Sequence, residues 1–364
     1  MQNFGLQIAE GSEITNLTVP SGTSFPANDN VGEMFYRTDL DTMYVRNNTE
    51  WAVSGSSSKN KNVIINGDFD IWQRGTTQTS SGYGSEDRWY NGNVGSTKVH
   101  SRQEFTVGQT DVPNNPQYYS RTVVASVAGA GNYAIKYQNI ENVSTFAGET
   151  VTVSFWAKAD ANKNIVSSFY QYFGSGGSAA SAAITPTTHS LTTSWQKFTV
   201  TAAIPSISGK TVGVNNFLQP VFWLEAGSNL DADTNSLGQQ SGTFDIAQVQ
   251  LEKGSTATDF EHRSVGEELA LCQRYYQHLV LGEDYINTIN ATIFYRYYTF
   301  NTTMRIPPSA SVFTQLRYYS TGGAGADFTP SSFGPKVYGL SIHSGGMVNC
   351  KGFVSGIVAL DADL

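Results

Sequence analysis

"VTVSFWAKA", residues 151–159, alternates Val151, Val153, Phe155 and Ala157 with Thr152, Ser154, Trp156 and Lys158. Successive side chains of a strand point to opposite faces, so a period of two gives one apolar and one amphipathic face. The same pattern returns downstream. "WQKFTVTAAI" (195–204) puts Phe198, Val200 and Ala202 on its apolar side, and "QPVFWLEA" (219–226) puts Phe222 and Leu224 there. In "TFDIAQVQLE" (243–252) the apolar set changes phase, from Phe244 and Ile246 to Ala247, Val249 and Leu251. One extra residue in a strand produces such a slip, so a β-bulge is expected near Ile246. Gly, Ser, Asn and Pro clusters separate the β-runs over 63–260 at the intervals of a sandwich.

"SVGEELALCQRYYQHLVLG" (264–282) reads differently. Ser264 and Glu267 have the spacing of a capping box, and Val265, Leu269, Cys272, Tyr276 and Leu279 recur on one helical stripe that Gly282 would stop. The expectation is a connector helix over 264–282, packing copies of the chain around an axis or docking on its own sandwich. Upstream, the polar run "SGSSSKNKN" (54–62) sets off an N-terminal unit, residues 1–60, in which "GEMFYRTDLDTMYVRNNTEW" (32–51) reads as a hairpin around "TDLDT". A lone hairpin is marginal in water, so this unit is expected to attach to copies of itself or to a neighbouring protein. Downstream, "YINTINATIFYRYYTF" and "KGFVSGIVALDADL" flank a Gly-rich middle and suggest a small β domain over 283–364.

The 364-residue chain has room for two or three such units. Only 14 % of residues are charged while 12 % are aromatic and 35 are glycine, the balance of a turn-rich, mainly β protein. A net charge of −8 with no Lys/Arg cluster repels a phosphate backbone and excludes nucleic acid as a partner. The opening residues lack the parts of a secretory signal, and no apolar run approaches membrane-spanning length. Synthesis in a cytoplasm without membrane insertion is expected. Cys272 and Cys350 make neither a disulfide framework nor a metal knuckle, and buried free thiols are expected.

Several motifs carry a resemblance: "NVIINGDFDIWQRGT", "EDRWY", "FGSGGS", "TTSWQKFTVT", "LGQQSGTFDIAQVQLEKGSTATDFEHR" and "GEELALCQRYYQ". In this order they resemble bacteriophage tail-fibre and related receptor-binding virion proteins. "VPSGTSFP", "MRIPPSASV" and the ending "DADL" are similar to attachment and tip segments of such fibres. The middle of the chain also resembles jelly-roll carbohydrate-binding modules, with "NGDFD" as opening strand and "FDIAQVQLEKG" as closing strand. The wider family implies a structural calcium there. Asp70 fits its acidic position, while Ala247 and Gln248 stand where the closing strand usually has aspartate; either Asp245 substitutes or the site is absent.

A glycan site needs aromatic faces for sugar C–H surfaces and polar groups for hydroxyls. On the non-core parity lie Trp156 with Lys158, Tyr170 with Tyr172, and Trp223 with Glu225. If their strands share one sheet, its face is an aromatic platform; if another layer covers that face, Trp156 and Trp223 are core. Tyr297, Tyr298, Arg317, Tyr318 and Tyr319 form a second candidate, since Tyr and Arg are enriched at binding hot spots, although tyrosine is also an ordinary strand former.

Catalytic signals are poor. "GAGNYA" and "GSGGSA" open no helix and read as turns. The five histidines have no recognisable partner pattern, and adjacent Glu86 and Asp87 on a strand point to opposite faces. The expectation is a homotrimeric virion protein that binds host cell-surface polysaccharide, contacts other tail proteins and cleaves nothing. A purely structural virion component and a depolymerase are the alternatives.

Overall fold

The computed structural model describes residues 19–26, 30, 32–38, 42–46, 51–53, 61–287, 293–320, 325–328, 332–336, 339–345 and 351–363. The chain divides into two compact units, Met1–Asn60 and Lys61–Leu364. No helix among the described residues is long and apolar enough to cross a membrane.

In the first unit β1 (Ser21–Gly22) runs parallel to β2 (Met34–Arg37), which continues antiparallel into β3 (Thr42–Arg46) and β4 (Trp51–Val53). The expected hairpin is thus the centre of a four-stranded sheet. Trp51 does not end it: its ring stacks on Phe25 at 5.3 Å, Tyr44 meets Phe25 edge-on at 4.9 Å, and Phe35 is buried beside them. This aromatic cluster supplies the apolar contact that an isolated hairpin lacks.

The second unit begins with a sandwich built from β5 (Thr77–Gln78), β6 (Tyr90–Val94), β7 (Thr97–Glu104), β8 (Tyr118–Ala125), β9 (Tyr133–Tyr137), β10 (Thr150–Ala159), β11 (Lys163–Tyr172), β12 (Ile184–Leu191), β13 (Gln196–Ala203), β14 (Phe217–Ala226) and β15 (Gly242–Lys253). The chain passes back and forth between a six-stranded sheet, β13-β10-β15-β8-β7-β5, and a five-stranded sheet, β12-β11-β14-β9-β6. Between them lies one core. Val151, Val153, Phe155 and Ala157 enter it from β10, Val200 and Ala202 from β13, Phe222 and Leu224 from β14. From β15 come Phe244 and Ile246, then Val249 and Leu251, so the phase of the strand does slip. Ser154 pairs with Gln250 and Trp156 with Ala247, leaving two residues of β15 opposite one of β10. The bulge sits at Gln248, whose φ is +46°.

"NGDFD" is a turn, not an opening strand. Asn66 and Phe69 have φ of +57° and +58°. Asn tolerates this region because its side chain bonds locally: its amide donates to the carbonyls of Ile71 and Asp87 at 2.8 and 3.0 Å, and its Oδ1 accepts from Ile71 N–H. Gly67 is required by close approach, since a Cβ there would lie 2.1 Å from the Val249 carbonyl oxygen.

After the four-residue α1 (Asp231–Thr234), between β14 and β15, comes α2 (Val265–Gln273), which opens on the expected capping box: Ser264 accepts from Glu267 N–H, and the Glu267 carboxylate accepts from Ser264 N–H at 3.0 Å. The helix does not reach residue 282. It ends at Gln273, and β16 (Tyr276–Asn287) takes over. Leu279 and Leu281 face the C-terminal core while Val280 between them is 67 % exposed, a period of two. Tyr276 and Leu279, three apart, fit a helical stripe in isolation, but a ladder from Tyr276–Asp361 to Asn287–Lys351 gives the β form the backbone partners. The continuous stripe proposed for a shared axis is therefore absent; Val265 at its start is 59 % exposed.

The remaining strands are β17 (Ile293–Thr299), β18 (Ser309–Ser320), β19 (Gly325–Phe328), β20 (Ser332–Lys336), β21 (Gly339–Gly345) and β22 (Lys351–Asp361). They form the sheets β16-β22-β18-β19 and β17-β21-β20 around Leu281, Met304, Leu316, Val358 and Leu360. Buried arginines tie this part to the sandwich. Arg74 donates to Asp361 at 2.6 Å and to Asp363, and its guanidinium lies 3.7 Å from the Tyr276 ring centroid. Arg88 donates to Asp363 and to the Asn139 carbonyl and stacks at 3.4 Å on Tyr275. The motifs "WQRGT", "EDRWY", "CQRYYQ" and "DADL" meet in this one junction.

Candidate functional site

The outer face of the five-stranded sheet carries an extended aromatic surface. Strand register sets it out in rows. Val166, Trp223, Ile135 and Gly92 lie side by side across β11, β14, β9 and β6; Ser168, Val221, Tyr137 and Tyr90 form the next row. Beyond them Tyr170 is opposite Gln219 and Tyr172 opposite Phe217. Tyr90 and Tyr137 stack at 4.5 Å with planes 8° apart, and Tyr172 lies 4.7 Å from Phe217. Gly92 lets the outer strand come close, because a Cβ would stand 2.9 Å from Ile135.

The face has a floor and a rim. Trp223, Tyr170, Val166 and Val221 are buried, with Leu230 and Leu237 from the segment around α1 packed on them. Tyr90, Tyr133, Tyr137, Tyr172 and Phe217 remain half-exposed. Burial and neighbouring tyrosines raise the Tyr137 hydroxyl far above its ordinary pKa. Burial followed by the Asp233 charge raises Tyr170 and Tyr172. These phenols stay protonated near neutrality, and the Asp233 carboxylate lies near Tyr170 and Tyr172. The Gln219 amide donates to Asn139 at 2.8 Å, and both side chains are buried beneath the face. Aromatic faces bordered by hydroxyls and one carboxylate suit a ligand with C–H faces and many hydroxyls.

Trp223 and Tyr170, expected on a platform, are 7 % and 9 % exposed and form its buried base. Trp223 donates its indole N–H to Ser168 at 3.3 Å. Tyr172 is on the exposed rim. Glu225 is fully buried, accepting from Ser126 and from Gln240 N–H, and offers no surface handle. Trp156 does not share this sheet: β10 belongs to the six-stranded sheet, so the indole is half-exposed on the opposite outer face. Period-two parity placed each residue on the non-core side of its strand but carried no information on which sheet the strand would join.

Tyr298 packs half-buried against the C-terminal core. The side chains of Tyr297, Arg317, Tyr318 and Tyr319 lie outside the described residues; their strands, β17 and β18, belong to different sheets. The residues missed by sequence reasoning are Tyr90, Tyr133, Tyr137 and Phe217. "YAIKY" (133–137) carries the same alternation as β10, with Tyr133, Ile135 and Tyr137 on one parity, and contained the signal.

The calcium pair does not form. Both Asp245 oxygens accept from Arg121 at 2.8 Å, while Asp70 adjoins Asp68, Glu268 and His262. Among the described residues no group of three or more His, Cys, Asp or Glu is arranged to hold a metal ion. Glu86 and Asp87 are also internal: Glu86 pairs with Lys136 and accepts from Ser120 at 2.8 Å, and Asp87 accepts from Gln73 N–H at 2.9 Å. Cys272 is a buried free thiol whose pKa burial pushes up; Cys350 lies outside the described residues.

No protein-family model matches the chain, and neither does any curated protein. Among solved structures it is similar to a family 4 carbohydrate-binding module at 19 % identity, TM-score 0.32, over 52 % of this chain and 99 % of that one. It is similar to the N-terminal cellulose-binding domain of Cellulomonas fimi β-1,4-glucanase C at 14 % identity, TM-score 0.30, over 51 % and 100 % of the two chains. The enzymatically active domain of bacteriophage CBA120 tailspike protein 4 matches at 12 % identity, TM-score 0.32, over 53 % of this chain but only 22 % of its own length.

Proposed function

We propose that the protein binds glycan on the outer face of its five-stranded sheet and breaks no bond there. The observation that carries this reading is the half-exposed aromatic rim, Tyr90 stacked on Tyr137 with Tyr172 and Phe217 beyond, with the Asp233 carboxylate beside Tyr172. Sugar rings lie flat on such faces while their hydroxyls bond the polar border. The ordered motifs that resemble tail-fibre proteins support a finer version: a receptor-binding virion protein, assembled as a trimer with other tail components, whose glycan is host surface polysaccharide. With α2 ending at Gln273, the trimer contact belongs elsewhere than on a helical stripe.

A second reading, a purely structural virion component, draws on the burial of Trp223 and Tyr170 beneath Leu230 and Leu237. A glycan array probed with the full chain separates the two. Binding to a defined set of polysaccharides supports the first, and a blank array alongside antibody labelling of the chain on particles supports the second.

A further inference from the structure

The opposite face of the sandwich holds a second, differently built site. A pocket of about 360 Å³ opens on the six-stranded sheet, and Trp156, Phe260 and His262 are among the residues that line it. Asn114, Ser154, Lys197, Gln248 and Asp259 complete the polar part of its lining. The bulge in β15 creates it. Ala247 is paired with Trp156, so a methyl group lies where a long side chain would cover the indole, and Gln248 is turned into the pocket wall at φ +46°.

Gln248 is the second observation. Its side chain is nine-tenths buried or more, at 2 % exposure, and its Nε2 donates to the Pro113 carbonyl at 3.0 Å. A carbonyl only accepts, which fixes the orientation of the amide and leaves Oε1 buried with no hydrogen-bond partner. Lys197 and Asp259 are exposed, of opposite charge, and neither side chain makes a hydrogen bond or ion pair among the described residues.

We infer that this pocket binds a single neutral sugar ring. The Trp156 face takes the C–H surface, and ring hydroxyls bond the exposed Asp259 and Lys197. Balanced charges favour a neutral ligand over an anionic one. The volume, near the lower end of the ~300–1,000 Å³ range of ligand pockets, suits one ring better than an extended chain. None of these residues belongs to the rim on the other sheet, so the inference stands apart from the proposed function.

Saturation-transfer NMR of the full chain with a panel of neutral methyl pyranosides tests it. At least one pyranoside is expected to receive saturation, and Trp156→Ala is expected to weaken its binding by about tenfold or more. Lys197→Ala and Asp259→Ala alter only exposed side chains, and each is expected to weaken the same ligand; they keep the test decisive if Trp156→Ala fails to fold. Tyr90→Ala, on the other sheet, is expected to leave it unchanged. Absence of transfer from every pyranoside overturns the site, as does binding that Tyr90→Ala abolishes while Lys197→Ala and Asp259→Ala leave it intact.

Discussion

Asp70 shows what a single side chain contributes at the turn that closes the sandwich. Burial raises its pKa to about 6, with repulsion from Asp68 and Glu268 adding to this and His262 offsetting part of it. Its Oδ1 and that of Asp68 are both buried without partners. An acid with a folded pKa above its unfolded value near 3.8 holds its proton more tightly when folded. Its contribution to stability is therefore full below about pH 4, declines as pH rises to about 6, and stays reduced above that. Asp70→Asn is expected to melt above the parent near neutrality, with the difference shrinking as pH falls through 6 and closing below about 4. Melting curves across this range check it, and a pH-independent difference would contradict it. Asp70 stood out in the sequence for another reason, a resemblance to a calcium-bearing strand, and that implication failed because Asp245 is committed to Arg121.

Strands were legible element by element where burial on one face leaves a period of two, as in β10, β13 and β15, including the slip at the bulge. The boundary between α2 and β16 was not. Leu279 fits either period, with Tyr276 at a helical step of three and with Leu281 at a strand step of two, and the choice rests on β22, more than seventy residues downstream, as the pairing partner. The last residues matter for the same reason. Asp363 is the carboxylate shared by Arg74 and Arg88, whose side chains are 7 % and 1 % exposed. Removing one partner of a buried ion pair leaves charge uncompensated and costs about 3–5 kcal/mol. Asp363→Ala is expected to destabilise the unit by that order in denaturant titration and to speed hydrogen exchange in β16 and β22 ahead of β10 and β15. A variant with parental stability would show that the junction carries little of the fold.

In the whole molecule, function depends on which strands become neighbours, and this is where reading residues alone stopped. Trp156, Tyr172 and Trp223 were all on the non-core side of their strands, yet the fold sends Trp156 to one outer face, Tyr172 to the rim of the other, and Trp223 beneath it. The order of strands in each sheet comes from long-range pairings that no local pattern encodes. The same pairings bring Tyr90 and Tyr137, forty-seven positions apart, into one stack. The most direct measurement is calorimetric titration of the full chain with the polysaccharide that scores highest on the array, compared with Tyr90→Ala and Tyr172→Ala at the two ends of the rim. Both variants are expected to stay folded and to lose about tenfold or more in affinity, since stacking is removed from the complex. Parental affinity in both would contradict glycan recognition by this face.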